Sequence, residues 1–91
     1  MSKILLLEDD LSLVNGLTFA FQKERYDLDI ARTISEADKL LSERRYDLLI
    51  LDVSLPDGSG FEICKKVRQI SKVPIIFLTA SDEEINIIMG L

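Results

Sequence analysis

Asp47-Leu48-Leu49-Ile50-Leu51-Asp52 runs directly into Val53-Ser54-Leu55-Pro56-Asp57-Gly58-Ser59-Gly60. The unbroken aliphatic run predicts a strand buried on both faces, as in the middle of a parallel sheet. Pro56 and the glycines end that strand, which puts Asp52 at its carboxyl end. Open α/β sheets bind their ligands outside the carboxyl ends of the strands. Asp52 is therefore the first candidate for chemistry in the chain.

Upstream, Lys3 to Leu7 is a short apolar run that delivers Glu8-Asp9-Asp10 at its end. Leu11, Val14, Leu17 and Phe21 follow at helical spacing, with Phe19 off the stripe. Leu28 and Ile30 alternate with Asp27 and Asp29, the pattern of an edge strand with one wet face. Thr33-Ile34-Ser35-Glu36 is a capping box opening a helix that buries Ala37, Leu40 and Leu41 and ends near Arg44-Arg45. Downstream, Gly60 opens a helix with Phe61, Ile63, Cys64, Val67 and Ile70 as its apolar set. Val73 to Thr79 is a further apolar strand, with Pro74 at its start. Ser81-Asp82-Glu83-Glu84 is a second capping box, predicting a helix through Ile85, Ile88 and Met89. The order β-α-β-α-β-α-β-α with right-handed crossovers predicts a doubly wound parallel α/β sheet ordered 2-1-3-4.

Ninety-one residues allow one domain, 1–91, at the small end for such a fold. A net charge of −5 argues against direct nucleic-acid binding by this segment. The lack of histidine excludes a His-based triad or a His-ligated zinc site. Cys64 alone makes no internal disulfide and at helical spacing reads as core. No apolar run is long enough for a signal peptide or a membrane span, so a soluble, cytoplasmic chain without membrane partners is expected.

In the 2-1-3-4 order, Glu8, Asp9 and Asp52 meet beside the switch point, with Thr79 one strand away. Two readings of strand-end acids stand open: caps for the following helices, or a cation site. For Asp10 the cap is the better reading. Thr79 alone reads as an ordinary strand-end threonine, or as a hydroxyl offered to a phosphate oxygen. Two carboxylates about 4 Å apart repel by roughly 4 kcal/mol at an effective dielectric of 20, about three pKa units. No Lys, Arg or His is expected at the same strand ends, so a divalent cation, Mg²⁺ by its all-oxygen ligands, is the simplest partner. Such an ion makes the Asp52 carboxylate a nucleophile toward phosphoryl groups at neutral pH.

Glu8-Asp9, Asp52 through Gly60, and Leu78-Thr79-Ala80 together resemble the receiver domain of two-component response regulators, in order and spacing over the whole chain. The resemblance implies a flavodoxin-like fold, with Asp52 as phosphoacceptor from a sensor histidine kinase. It implies Mg²⁺ held by Asp9 directly, by Glu8 through water and by the Ser54 backbone carbonyl. It makes Thr79 the switch hydroxyl and Ala80 the small residue that leaves the pocket open. The Leu-Pro-Asp-Gly-Ser-Gly loop is similar to those of winged-helix DNA-binding regulators, which implies a transcriptional output. Receivers continue into a fifth strand, bearing a lysine and an aromatic, and a fifth helix. The chain is expected to be truncated before both, and Lys72 does not take the lysine's role. The strand Val73 to Leu78 is then expected to be an exposed apolar edge that promotes homodimers or larger species. On this reading the chain is a signalling domain rather than an enzyme. The competing readings are a non-reactive receiver fragment acting as an oligomerisation module and a Mg²⁺-dependent phosphatase. The phosphatase is disfavoured because Ser54 stands where its second acid belongs.

Overall fold

Lys3–Leu7 (β1) and Leu48–Asp52 (β3) lie side by side and parallel, with Ile4 opposite Leu48 and Leu7 opposite Leu51. In the computed structural model the chain is described over residues 2–80 and 85–90, with 79–80 and 85–90 described by backbone alone. Asp27–Ala31 (β2) pairs parallel with the outer side of β1, and Ile75–Ala80 (β6) pairs parallel with β3. The parallel part of the sheet therefore has the order expected, β2-β1-β3-β6.

Side chains alternate across the pleat, so each central strand feeds two cores. Leu5, Leu7, Leu49 and Leu51 point to one face, where they pack with Ile34 and Ala37 of Ile34–Glu43 (α2). Ile63 and Val67 of Gly60–Arg68 (α3) complete that layer. Ile4, Leu6, Ile50 and Leu78 point to the other face, under Val14 of Leu11–Lys23 (α1). The uninterrupted apolar run is thus explained by burial on both sides.

The helix starts follow the sequence. The Asp10 carboxylate accepts from the N–H groups of Ser12 and Leu13 at the entry to α1, the capping role expected of it. The Thr33 hydroxyl accepts from the Glu36 N–H (3.1 Å) and donates to the Glu36 carboxylate (3.4 Å). Ser59 caps α3 through the Phe61 N–H.

Several expectations need correction. Residues 85–90 are not helical: Ile85–Gly90 (β7) runs antiparallel to β6, with Ile75 opposite Gly90 and Ala80 opposite Ile85. The supposed cap at 81–84 lies outside the described residues. A β-branched run at Ile85, Ile87 and Ile88 favours extended backbone, and an unpaired β6 would leave a row of open donors and acceptors. Folding back satisfies both preferences. The edge expected to be open for self-association is therefore paired within the chain, which removes the ground on which dimers were expected.

Leu11 and Ile70 are exposed rather than core; Ile70 falls beyond the end of α3. In β2 the acidic face is only partly wet: Asp27 is exposed, but Asp29 is not. Asp29 is more covered than Ile30, because its carboxylate accepts from the Tyr46 hydroxyl (2.7 Å) and from Arg44 (2.9 Å). These bonds outweigh the burial that would raise the Asp29 carboxyl and hold it below the usual range. The loop after β3 also holds a small antiparallel ribbon not foreseen, Ser54–Leu55 (β4) with Gly58–Ser59 (β5).

Candidate functional site

The amide of Glu8 donates to the Ala31 carbonyl (3.0 Å), which fixes the end of β1 against the end of β2. From there the Glu8 side chain turns back into the fold and is buried, 4% exposed. Its carboxylate accepts from the N–H groups of Asp9 (2.9 Å) and Asp10 (3.1 Å). Asp9 and Asp52 are half-buried beside it, and one oxygen from each of Glu8, Asp9 and Asp52 lies within 4.8 Å of the others. The expected convergence of acids from adjacent strands is present. Ser54 opens β4, and its N–H donates to Asp52 Oδ1 at 3.4 Å. Thr79 follows Leu78, the register partner of Asp52, so its backbone sits at the same end of the sheet. The Thr79 and Ala80 side chains are outside the described ones.

Burial raises the Glu8 carboxyl above its ordinary value to about 7, with Asp52 adding to the rise and the two backbone N–H groups opposing it. The donor set is all oxygen, compact and anionic, which fits a hard divalent cation such as Mg²⁺. Glu8, Asp9 and Asp52 are the residues that would hold it.

A pH dependence follows. Between the ordinary carboxylate value and about 7, folded Glu8 keeps a proton that the unfolded chain has lost. Its contribution to stability therefore declines as pH rises through that window, and the decline is complete above it. A cation must displace the same proton, so Mg²⁺ affinity is expected to rise by up to about tenfold per pH unit below about pH 7 and to level off above it. A Mg²⁺ titration at several pH values, followed by amide chemical shifts near Glu8, checks this; a flat profile contradicts it.

Three residues of the site were not picked out from sequence. Asp57, at the turn of the β4–β5 ribbon, accepts from the N–H groups of Ile34 (2.8 Å) and Ser35 (3.2 Å) and so caps α2 from a distant loop. The Pro-Asp-Gly turn signal is local and gave no hint of that long-range bond. The Ile34 N–H, with help from Ser35, holds the Asp57 carboxyl below its ordinary range. Asp57 therefore contributes stability above the ordinary carboxylate range, and that contribution is lost as pH falls through its depressed pKa. Asp57→Ala is expected to melt at a lower temperature than the parent at neutral pH and to converge with it in acid. A constant gap across thermal melts at several pH values would reject the cap.

Gly60 is the second such residue. It is buried, and a Cβ placed on it would collide with the backbone carbonyl oxygen of Asp52. The third is Arg32, whose guanidinium donates to the Asp9 carbonyl at 3.2 Å. The expectation that no cation stands at these strand ends is corrected here. Arg32 is one residue past β2, and its long side chain reaches across to the loop after β1.

Comparison with known proteins bears on the arrangement as a whole. The chain matches the Response regulator receiver domain family over residues 4–91. It is 37% identical to the Transcriptional regulatory protein AfsQ1 of Streptomyces coelicolor, across 100% of this chain and 40% of that relative's length. The non-phosphorylated HemR receiver domain from Leptospira biflexa superimposes with a TM-score of 0.81 at 38% identity, over 92% of this chain and 68% of that one. The response regulator TrrA from Thermotoga maritima, solved in complex with Mg²⁺-BeF, gives 0.82 at 36% identity, over 90% and 72%. Among the described residues no helix is long and apolar enough to cross a membrane. With its parallel β2-β1-β3-β6 core and its acids gathered where β1 and β3 end, the chain belongs to the response regulator receiver domain family of two-component systems.

Proposed function

We propose that Asp52 accepts a phosphoryl group from the phosphohistidine of a sensor kinase in the cytoplasm, and that the added charge switches an output in transcription. The observation that carries this reading is the meeting of the Glu8, Asp9 and Asp52 carboxylates within 4.8 Å at the carboxyl end of the sheet. An Asp52 carboxylate oxygen attacks phosphorus, the donor's P–N bond breaks, and the imidazole nitrogen leaves with its electron pair and takes a proton from solvent. The Ser54 N–H steadies Asp52 Oδ1, which favours attack through the other oxygen. Mg²⁺, when bound, neutralises the acids and the transferring group. The Ser54 carbonyl would be a further ligand for it, and Thr79 would supply the hydroxyl that follows the new phosphoryl group. The complex of TrrA with Mg²⁺-BeF and the name of the Streptomyces relative support the ion and the output.

Acetyl phosphate with Mg²⁺ tests the reaction, since its P–O bond breaks with acetate as leaving group. Intact-mass measurement is expected to show one added phosphoryl group that is labile to base. An unchanged mass overturns the proposal, and steady release of phosphate from a generic phosphomonoester would turn the reading toward a phosphatase.

A further inference from the structure

The carboxyl-end loops, residues 8–10, 32–33 and 53–59, are acidic with one exception. Glu8, Asp9, Asp10 and Asp57 lie in them and Asp52 opens the third; of the chain's 11 lysines and arginines, Arg32 alone is there. Among the described residues no carboxylate lies within ion-pair distance of its guanidinium. Instead the group donates to a neutral partner, the Asp9 carbonyl, at 3.2 Å. Neighbouring strands are about 4.8 Å apart, so β2 and β3 are separated by about two such spacings. The bond to Asp9 holds the guanidinium at the loop after β1, the strand that neighbours β3 and its terminal Asp52. Among the described residues no bonded acid neutralises its charge, and the side chain is exposed.

We propose that Arg32 is the cation that draws the anionic phosphoryl donor to Asp52 and hydrogen-bonds its phosphoryl oxygens. The inference rests on the phosphoacceptor reading of Asp52. Guanidinium donors match phosphate oxygens in pairs, and Arg32 keeps donors beyond the one given to Asp9. The same charge repels Mg²⁺, so Arg32 acts with opposite sign on the two ligands of one site. A strut that merely held the Asp9 loop would act with the same sign on both.

The test compares Arg32→Gln and Arg32→Lys with the parent protein, using acetyl phosphate for uptake and Mg²⁺ alone for affinity. Arg32→Gln is expected to need about fivefold more acetyl phosphate for half-maximal rate at low ionic strength, with the difference closing at about 1 M salt. Its Mg²⁺ affinity is expected to rise about threefold. Arg32→Lys keeps the point charge and is expected to restore the parent Mg²⁺ affinity, while regaining only part of the donor affinity. If the glutamine variant weakens both ligands together, or matches the parent in both, the inference is overturned while the Asp52 reading stands. A parent protein that takes up no phosphoryl group overturns both.

Discussion

Asp52→Asn is expected to take up no phosphoryl group from acetyl phosphate and, without Mg²⁺, to be more stable than the parent protein. The loss of reaction follows from losing the anionic oxygen that attacks phosphorus; a neutral amide is a poor nucleophile. The gain in stability follows from the crowding of charge. Oxygens of Asp52, Glu8 and Asp9 approach within 4.8 Å, a separation at which two full charges repel by about 3.5 kcal/mol at an effective dielectric of 20. The amide also offers an N–H in place of one of the acids. Glu8 should then titrate below its present value of about 7, yet still above an ordinary carboxyl, because burial is the largest cause of its rise and remains. Saturating Mg²⁺ should erase the stability difference or reverse it, since it rewards the parent's extra ligand. Intact mass with and without acetyl phosphate, and urea melts above pH 7 with and without Mg²⁺, check both halves. A phosphorylated Asn variant would move the acceptor elsewhere.

Gly60→Ala is expected to be among the most damaging single-methyl changes in the protein. The added Cβ would overlap the Asp52 carbonyl oxygen and meet the Leu51 Cβ at 3.3 Å. Neither neighbour has freedom to retreat. Leu51 is fully buried, the Asp52 backbone pairs in register with Leu78, and the Gly60 N–H itself donates to the Val53 carbonyl at 3.1 Å. Alanine is the better helix former by up to about 1 kcal/mol, but overpacking against fixed backbone costs more, about 3 kcal/mol. For a domain of this size that lowers Tm by roughly 12–24 °C. The displaced carbonyl belongs to the acceptor residue, so phosphoryl uptake should slow even below the melting range. Calorimetry of the variant beside the parent decides the matter, and an unchanged Tm would refute the close approach.

The central sheet and its acids were legible because their causes are local in sequence. An aliphatic run such as Leu48 to Leu51 has one comfortable home, and the turn residues after Asp52 mark where it stops. The 2-1-3-4 order then brings Glu8 and Asp9 to Asp52 by topology alone. What escaped is decided between residues far apart in the chain. Asp57 meets Ile34 and Ser35 across a separation of 23 and 22 residues, and Arg32 meets Asp9 across 23. Gly60 was read as a helix start, whereas its lack of a side chain answers to the Asp52 carbonyl. Residues 85–90 show a second limit. Ile85, Ile88 and Met89 satisfy a helical period, but the unpaired flank of β6 competes for the same segment and wins.

The two faces of the sheet are unequally clothed. Toward α2 and α3 lies a broad buried layer that includes Leu55, Ile75 and Phe77 as well as the central leucines, and Phe61 lays its ring 4.7 Å from that of Phe77. Toward α1 the buried set is Ile4, Leu6, Val14, Ile50 and Leu78, and Leu11 and Phe19 face water. Breathing of the fold should therefore begin at the thinner side, where least apolar contact is given up. That side carries the backbone between Glu8 and Asp10, so the anchorage of the acid pair loosens before the cap that Asp57 places on α2 does.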